Sequence, residues 1–275
     1  MINVDICPFC SDKTRTIIQQ QTFEDIYNKL IDPALNDIIR NWYACTDCEF
    51  IYRSPKLDED EQTILYEKYR DISFRSETPE DYFARITSYN NDESENYKKV
   101  SWVVNNMNSN ILESGSKILD VGCGGGVLLH KINEMIPDVF TFGVEPNESY
   151  SELAREKSGA VEIKTSYFDK NTFKEKFDVI VSSDVLEHVD NPELFLNDIY
   201  SSLKIKGFVF LEIPSPTNFG RLGNEHDIFN MAHHVFYTKK ILKAYLTNAG
   251  FNDIKVDDIE YPTGVWKLRT IAYKI

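Results

Sequence analysis

The chain has 275 residues, of which 44 are acidic and 30 are lysine or arginine, and its formal net charge is -14. Hydrophobic residues make up 42% and charged residues 27%, the balance of a soluble globular protein rather than a disordered or fibrous one. The lysines are scattered among acidic residues, so we expect no tight, non-specific binding to nucleic acid. No apolar run approaches the roughly 20 residues of a membrane span, and the first residues lack a signal-peptide pattern. We therefore expect a cytoplasmic protein.

Composition divides the chain into three predicted parts. The first, at 1–54, contains two C-x-x-C pairs and is for that reason predicted to be a zinc-binding segment; a polar, tyrosine-rich helical connector or lid at 55–110 and a third part at 111–275 follow it. In the third part, short apolar runs alternate with amphipathic stretches, which is typical of βαβ units. This alternation predicts an α/β fold with a doubly wound, mostly parallel sheet.

The predicted elements follow the same division. The first part has alternating stretches that predict strands near 14–18 and 49–52, with an inserted helix at 23–30. The connector has helical patterns at 58–72 and 97–108. In the third part, strands are predicted at 117–122, 140–145, 161–164, 177–183, 208–214, 251–258 and within 265–273, and helices at 126–136, 148–159, 192–204 and 238–250.

Four of the five cysteines form two C-x-x-C pairs, Cys7 with Cys10 and Cys45 with Cys48. In a cytoplasmic protein this pairing favours metal binding over disulfides. Each pair can hold a metal ion from a tight turn, and two pairs complete a tetrahedral, structural zinc site. Four unligated thiols and a redox pair are the alternatives, but neither pair lies between a strand and a helix of a βαβ unit, as a thioredoxin-like pair would.

A glycine-rich loop follows the first strand of the third part, in the run KILDVGCGGGVLL at 117–129. Glycines there permit positive φ and a close approach of the backbone to a ligand. The dinucleotide fingerprint G-x-G-x-x-G needs its third glycine where this chain has Val127. Glu145 ends the next apolar run, where a carboxylate can accept hydrogen bonds from both hydroxyls of a ribose.

The DVGCGGG loop together with the later VEP resembles class I S-adenosylmethionine (SAM)-dependent methyltransferases rather than dehydrogenases. The stretch at 177–189 resembles the fourth strand and following loop of that family, and the stretch at 191–211 resembles its next helix, glycine turn and fifth strand. The resemblance implies a seven-stranded, Rossmann-like methyltransferase fold with SAM as the cofactor.

The same resemblance implies roles for nine residues along the cofactor. The acidic residue and glycines of the first loop would surround the methionine end and ribose, and Glu145 would hold the ribose hydroxyls. A loop after the third strand would lie near the adenine, and the end of the fourth strand would lie beside the transferred methyl group. In chain order the nine residues are Asp120, Gly122, Gly124, Gly126, Glu145, Ser166, Phe168, Ser183 and Asp184.

The cysteine pairs and the phrase CEFIYRSP resemble the N-terminal zinc-binding segment of some bacterial small-molecule methyltransferases, including sugar C-methyltransferases. This resemblance implies a small polar acceptor such as a sugar, a nucleotide sugar or a surface-glycan precursor. Two other functions stay open. An RNA or protein methyltransferase could use the zinc unit for docking, although the negative charge disfavours RNA. A non-catalytic interaction protein could keep a degenerate cofactor pocket, although the intact glycine loop and Glu145 argue against degeneracy.

Histidines are the candidate catalytic residues. Positioning supplies much of the acceleration of methyl transfer from a sulfonium, and a general base assists when the acceptor is a hydroxyl, an amine or an acidic carbon. His234 is the first candidate, because it resembles the histidine of the family's E-H-x-x-x-F-[ST] phrase, and His188 in an EH pair is the second. Structural roles are the alternative for both. A metal site of His226, His233 and His234 is disfavoured because a fourth ligand with suitable spacing is missing.

Overall fold

The computed structural model describes residues 1–21, 25, 27–32, 35, 38–68, 76–108, 111–174, 176–223 and 226–275. The predicted helices at 23–30 and 58–72 lie partly outside these residues. Within the described ranges, no helix combines the length and the apolar character needed to cross a membrane.

The N-terminal part and the connector contribute three strands and four helices to the described structure. The N-terminal elements are β1 (Arg15–Gln21), α1 (Asn28–Ile31), β2 (Arg40–Cys45) and β3 (Ile51–Ser54). The connector contains α2 (Glu59–Lys68), α3 (Pro79–Thr87) and α4 (Glu95–Asn106). The sequence analysis missed β2 and α3.

The third part alternates strands with helices, as its apolar pattern predicted. Its first half contains β4 (Lys117–Val121), α5 (Val127–Met135), β5 (Phe140–Val144), α6 (Glu148–Lys157), β6 (Glu162–Lys164) and β7 (Phe177–Ser183). Its second half contains α7 (Pro192–Ser202), β8 (Leu203–Pro214), β9 (Val235–Phe236), α8 (Lys239–Asn248), β10 (Asn252–Glu260) and β11 (Trp266–Tyr273). Short 3₁₀ helices lie at Leu186–His188, Pro216–Arg221 and Asp227–Phe229.

Seven strands form one sheet in the order β10-β11-β8-β7-β4-β5-β6. The pairs from β6 to β8 are parallel, and β11 is antiparallel to both β8 and β10. The predicted doubly wound, mostly parallel sheet is therefore confirmed. The predicted helix at 192–204 ends two residues early, because Leu203 pairs with Phe177 and already belongs to β8.

Helices cover both faces of this sheet. On one face, Val100 and Val103 of α4 pack with Leu128 and Ile132 of α5 against the strands. On the other face, α7 and α8 pack against the sheet in a buried cluster that also contains Cys7, Cys45, Cys48 and Phe50. The core of the N-terminal part is thus continuous with the core beside α8.

A second, antiparallel sheet, in the order β1-β2-β3-β9, joins the N-terminal part to the third part. Its last strand comes from the third part, and Ile51 and Tyr52 of β3 pair with Phe236 and Val235 of β9. The boundaries at residues 54 and 110 stay a prediction, and this sheet links the parts on either side of them.

Helix ends follow the local sequence. Asn191 caps α7 by accepting a hydrogen bond from the backbone of Leu194 at 3.0 Å, and Pro192 occupies the first turn, where its missing N–H costs nothing. Gly250 follows α8 with a φ of +97°, a conformation that glycine adopts without strain. Pro192 and Gly250 are a helix-start signal and a helix-end signal that the sequence contains.

We expect Gly143→Ala to lower the free energy of unfolding by about 1–3 kcal/mol, the range for overpacking in a well-packed core. A Cβ at this position in β5 would lie 2.6 Å from Ile163 and 2.7 Å from the sulfur of Cys123. Gly220→Ala is the matched control, since its Cβ would meet no heavy atom within 4 Å. Urea unfolding of both variants measures the difference, and equal stabilities would contradict the packing described for β5.

Candidate functional site

An open cleft of about 1470 Å³ lies where the parallel strands end. Loops after β4, β5, β6 and β7 form one wall, as expected for the carboxyl edge of a doubly wound sheet. Residues of α2, α3 and α4 and of the stretch 226–233 form most of the rest, with smaller contributions from α7, β8 and β11. Of the predicted site residues, the cleft brings together Asp120, Gly122, Gly124, Glu145, Ser166, Phe168, Ser183, Asp184 and His188. Gly126 and His234 are not among its lining residues.

The glycine loop turns sharply from β4 into α5. Gly122 and Cys123 both donate backbone hydrogen bonds to the carbonyl of Val144, at 2.9 and 3.1 Å. Gly126 has a φ of +78° and begins α5, and a Cβ there would lie 2.7 Å from the Cβ of Ser158. Gly126 therefore permits close packing of helices. Gly124, with a φ of +52°, differs because a Cβ there would meet no heavy atom within 4 Å. This space is available to a ligand.

Glu145 clamps the loop that follows β4 to the loop that follows β5. One carboxylate oxygen accepts the backbone N–H of Gly124 at 2.9 Å, and the other accepts the N–H of Asn147 at 2.9 Å. A carboxylate oxygen can accept two hydrogen bonds, so this clamp is compatible with further donors from a ribose.

Asp120 is the last residue but one of β4 and is only 2% exposed. Burial raises the pKa of its carboxyl group to about 7, with a smaller rise from Glu145 and an opposing effect from Lys99. The residue is therefore half-protonated near neutral pH, and a positively charged group beside it would favour the carboxylate.

A network of charges holds the end of β7. Lys267 contacts both carboxylate oxygens of Asp184 at 2.7 and 2.8 Å, and Lys99 donates to the hydroxyl of Ser183 at 2.8 Å. Lys99 also forms an ion pair with the buried Glu212 at 3.0 Å. Burial alone would raise the pKa of Asp184, but Lys267 and Lys99 outweigh it and hold that pKa below its usual value. Asp184 is thus fixed as an anion in the cleft wall.

The sequence analysis did not identify Lys99 and Lys267 as cleft residues. Each interrupts an apolar pattern: Lys99 shares the buried side of α4 with Val100 and Val103, and Lys267 precedes the buried Leu268 in β11. A lysine among buried positions needs a carboxylate partner. A lysine within an apolar pattern is therefore a signal in the sequence that could have identified both residues.

Two histidines face the cleft from neighbouring loops. Nδ1 of His188 lies 2.7 Å from the carbonyl oxygen of Ala232, and Nδ1 of His233 lies 2.6 Å from that of Ile228. A carbonyl only accepts hydrogen bonds, so Nδ1 carries the proton in both rings and Nε2 is the basic nitrogen. The ring centroids are 4.8 Å apart. Burial and the nearby His188 lower the pKa of His233 well below its usual value, so His233 stays neutral.

Glu187 lies beside these histidines, also lines the cleft and is 1% exposed. Neither carboxyl oxygen has a hydrogen-bond partner among the described residues. Burial and the nearby Asp184 raise its pKa well above the usual value. Ligand atoms of Glu187, His188 and His233 lie within 4.8 Å of one another, a spacing at which three residues could hold a metal ion.

His234 does not line the cleft, so its predicted role as the general base stays a prediction that its position does not support. It is 2% exposed, Nδ1 donates to Asp190 at 3.2 Å, and Nε2 has no partner among the described residues. Burial lowers its pKa to about 4, although Asp190 opposes the shift. His233, the preceding residue, lines the cleft, and His234 does not.

The four paired cysteines meet at one point. Sγ of Cys7 lies 3.6 Å from Sγ of Cys48, Sγ of Cys10 lies 3.5 Å from Sγ of Cys45, and all four lie within 4.8 Å of one another. Tetrahedral zinc with thiolate bonds of about 2.3 Å places its sulfurs about 3.8 Å apart, so the cluster fits zinc.

The two cysteine loops have the same backbone arrangement. Cys7 accepts from the N–H of Ser11 at 2.9 Å, and Cys45 accepts from the N–H of Glu49 at 3.0 Å. Ser11 and Glu49 both have positive φ, 64° and 69°. Two equivalent turns therefore present the four sulfurs, as the spacing in the sequence predicted.

Comparison with known families places the chain among methyltransferases. The family model described as methyltransferase domain matches residues 94–256, more than half of the chain. This range includes the glycine loop, Glu145 and the end of β7.

Curated relatives match shorter stretches and are ubiquinone biosynthesis O-methyltransferases. The mitochondrial protein of Rattus norvegicus is 32% identical over 113 residues, which are 38% of this chain and 32% of that protein. The mitochondrial protein of Schizosaccharomyces pombe is 31% identical over 114 residues, which are 40% of this chain and 42% of that protein. This chain spans less than half the length of either relative.

Solved structures share the fold at low identity. Magnesium protoporphyrin IX methyltransferase from Synechocystis PCC 6803, with bound SAH, superposes with a TM-score of 0.56 at 16% identity, covering 78% of this chain and 100% of that one. A chain of the complex between the Haloferax volcanii Trm112 methyltransferase activator and a putative methyltransferase gives a TM-score of 0.53 at 16% identity, covering 70% of this chain and 97% of that one. The chain thus belongs to the methyltransferase-domain family and has the Rossmann-like fold of the class I SAM-dependent methyltransferases, as its glycine loop predicted.

Proposed function

We propose that the protein transfers the methyl group of SAM to a small polar acceptor. The observation that carries this proposal is one cleft in which the Glu145-clamped glycine loop and the paired histidines, His188 and His233, face the same space. SAM would supply a methyl group on a positively charged sulfur, which is activated for displacement. The family of the chain supports the proposal.

In our proposal, different residues along the cleft bind different parts of SAM. Asp120 binds the cationic methionine end, and Gly124 leaves room for the ligand beside the backbone. Glu145 accepts hydrogen bonds from the ribose hydroxyls through its remaining lone pairs. Ser166 and Phe168 lie at the adenine end, and Ser183 and Asp184 lie at the methyl end.

The polar side chains that line the cleft favour a small, hydroxyl-rich acceptor such as a sugar or nucleotide sugar. The connector helices and β11 contribute amide, hydroxyl and amine groups to the cleft, from Gln62, Tyr66, Tyr82, Asn96, Lys99 and Lys267. The curated relatives are named for ubiquinone biosynthesis, which also supports a small-molecule acceptor. A net charge of -14 disfavours RNA.

His188 takes the role of general base in this proposal, in place of His234. Its Nδ1 is held by the Ala232 carbonyl, which leaves Nε2 as the nitrogen that accepts a proton from the acceptor. His233 lies beside it as a neutral ring and adds no positive charge next to a cationic cofactor.

The proposal also includes a structural zinc ion, held by Cys7, Cys10, Cys45 and Cys48. With four thiolates it has no open position for chemistry. Its binding would stabilise a segment that contributes β1, β2 and β3 to the second sheet. Reduced thiols of this kind also support the proposed cytoplasmic location.

We expect the dissociation constant for SAM to fall about tenfold between pH 6 and pH 8, because protons and the cationic cofactor compete for an Asp120 carboxyl whose pKa is about 7. Calorimetric titration at several pH values measures this dependence. Asp120→Asn cannot titrate, so its affinity should be weaker and nearly independent of pH. A pH-independent affinity in the unaltered protein would contradict the role given to Asp120.

Zinc analysis of protein purified without added metal should give one zinc per chain. Cys45→Ser should lose most of that zinc, because it removes one of the four thiolates of the cluster. Cys123→Ala is the control, since Cys123 is buried in the glycine loop and belongs to no metal cluster among the described residues. Equal zinc contents in the two variants would reject the site.

His188→Ala should reduce kcat by ~100-fold or more with little change in SAM affinity, since general-base catalysis typically contributes 10²–10⁴-fold. Transfer of labelled methyl from SAM into a fractionated small-molecule extract measures the rate. His130→Gln is the matched control, because His130 lies in α5 against Phe83 and does not line the cleft. A fully active His188→Ala protein would exclude His188 as the base.

A further inference from the structure

We propose that Arg53 of the N-terminal segment is a positioning residue that holds both cleft histidines in their working orientation. Arg53 does not line the cleft. It acts through the backbone turn formed by residues 230–234, hereafter the histidine turn. The catalytic part of this proposal rests on the proposed function, whereas the effect on the imidazole rings does not.

Arg53 bonds directly to the histidine turn. Its side chain is fully buried, with Nη1 donating to the carbonyl of Asn230 at 2.9 Å and Nη2 donating to the carbonyl of Met231. Its backbone N–H also donates to the carbonyl of His234 at 3.1 Å. A planar guanidinium presents donors in a fixed fork, so the two side-chain bonds fix neighbouring carbonyls together.

The histidine turn contains the backbone of His233 and also fixes the ring of His188. Ala232, between the carbonyls that Arg53 holds and His233, accepts from Nδ1 of His188 at 2.7 Å. The N–H of His234 donates to the carbonyl of Glu187 at 2.9 Å, which ties the turn to the loop that carries His188. If the turn shifts, the Ala232 carbonyl no longer holds the proton of His188 on Nδ1, and the basic nitrogen changes.

Asp25 supports the same turn from the N-terminal segment. Its carboxylate accepts the N–H of Met231 at 2.6 Å and lies 3.5 Å from the buried guanidinium of Arg40. Burial lowers the pKa of Arg53 to about 9, with a further decrease from Arg40. Placing such a cation in the interior is costly unless its donors are used, and here both terminal nitrogens donate to the turn, whereas Nε has no partner among the described residues. Its placement therefore favours a role in orientation over one in general stability.

Arg53→Lys tests the proposal because lysine keeps the charge but lacks the fork. We expect kcat for labelled methyl transfer to fall at least tenfold while the calorimetric affinity for SAM stays within twofold. Tyr52→Phe is the matched control: Tyr52 is the preceding residue of β3, is equally buried, and its hydroxyl has no hydrogen-bond partner among the described residues. A folded Arg53→Lys protein with unaltered kcat would overturn the catalytic part.

Imidazole ¹⁵N chemical shifts provide a readout that needs no activity. In the unaltered protein, His188 and His233 should both show the Nδ1–H form, and in Arg53→Lys His188 should show a mixture of tautomers. His130 should be unchanged in all variants. An Nε2–H form of His188 in the unaltered protein would overturn the proposal even if Arg53→Lys failed to fold. Native tautomers without methyl transfer would instead contradict the proposed function alone.

Discussion

The carboxylate of Glu145 is the contact on which the site depends. The loop after β4 contains three glycines with positive φ, and the N–H of Gly124 points at Glu145 across the gap between two strands. Hydrogen bonds to a charged group contribute about 1.5–3 kcal/mol each, which is enough to select one loop conformation. Once this loop is fixed, α5 begins at Gly126 and the cleft beside β4 and β5 has its shape.

The second sheet, β1-β2-β3-β9, fixes the opposite wall of the cleft. Because β9 pairs with β3, the N-terminal segment builds directly onto the chain that follows the histidine turn. Cys7, Cys45 and Cys48 lie in the same buried cluster as Tyr237 and Tyr245. A metal ion bound there would stabilise the segment that carries Arg53. The two walls of the cleft are thus held by different parts of the chain.

The sequence analysis identified the features that depend on residues close to one another in the chain. The glycine loop, Glu145 and the cysteine pairs each depend on short spacings, and the structure brings them together as those spacings require. It missed β9, which has only two residues and exists because β3 pairs with it. It ranked His234 before His188 as the general base, whereas His188 and His233 line the cleft and His234 does not. Which of two adjacent histidines faces the cleft is decided by tertiary contacts, such as the hydrogen bond from His234 to Asp190.

The central claim is that SAM lies in this cleft with its sulfur directed at His188. A crystal structure of the protein with bound S-adenosylhomocysteine tests it most directly. The account predicts ribose hydroxyls within hydrogen-bond distance of Glu145, the amino group near Asp120, and the sulfur between Asp184 and His188. A nucleoside bound elsewhere, or in this cleft with the sulfur turned away from His188, would contradict it.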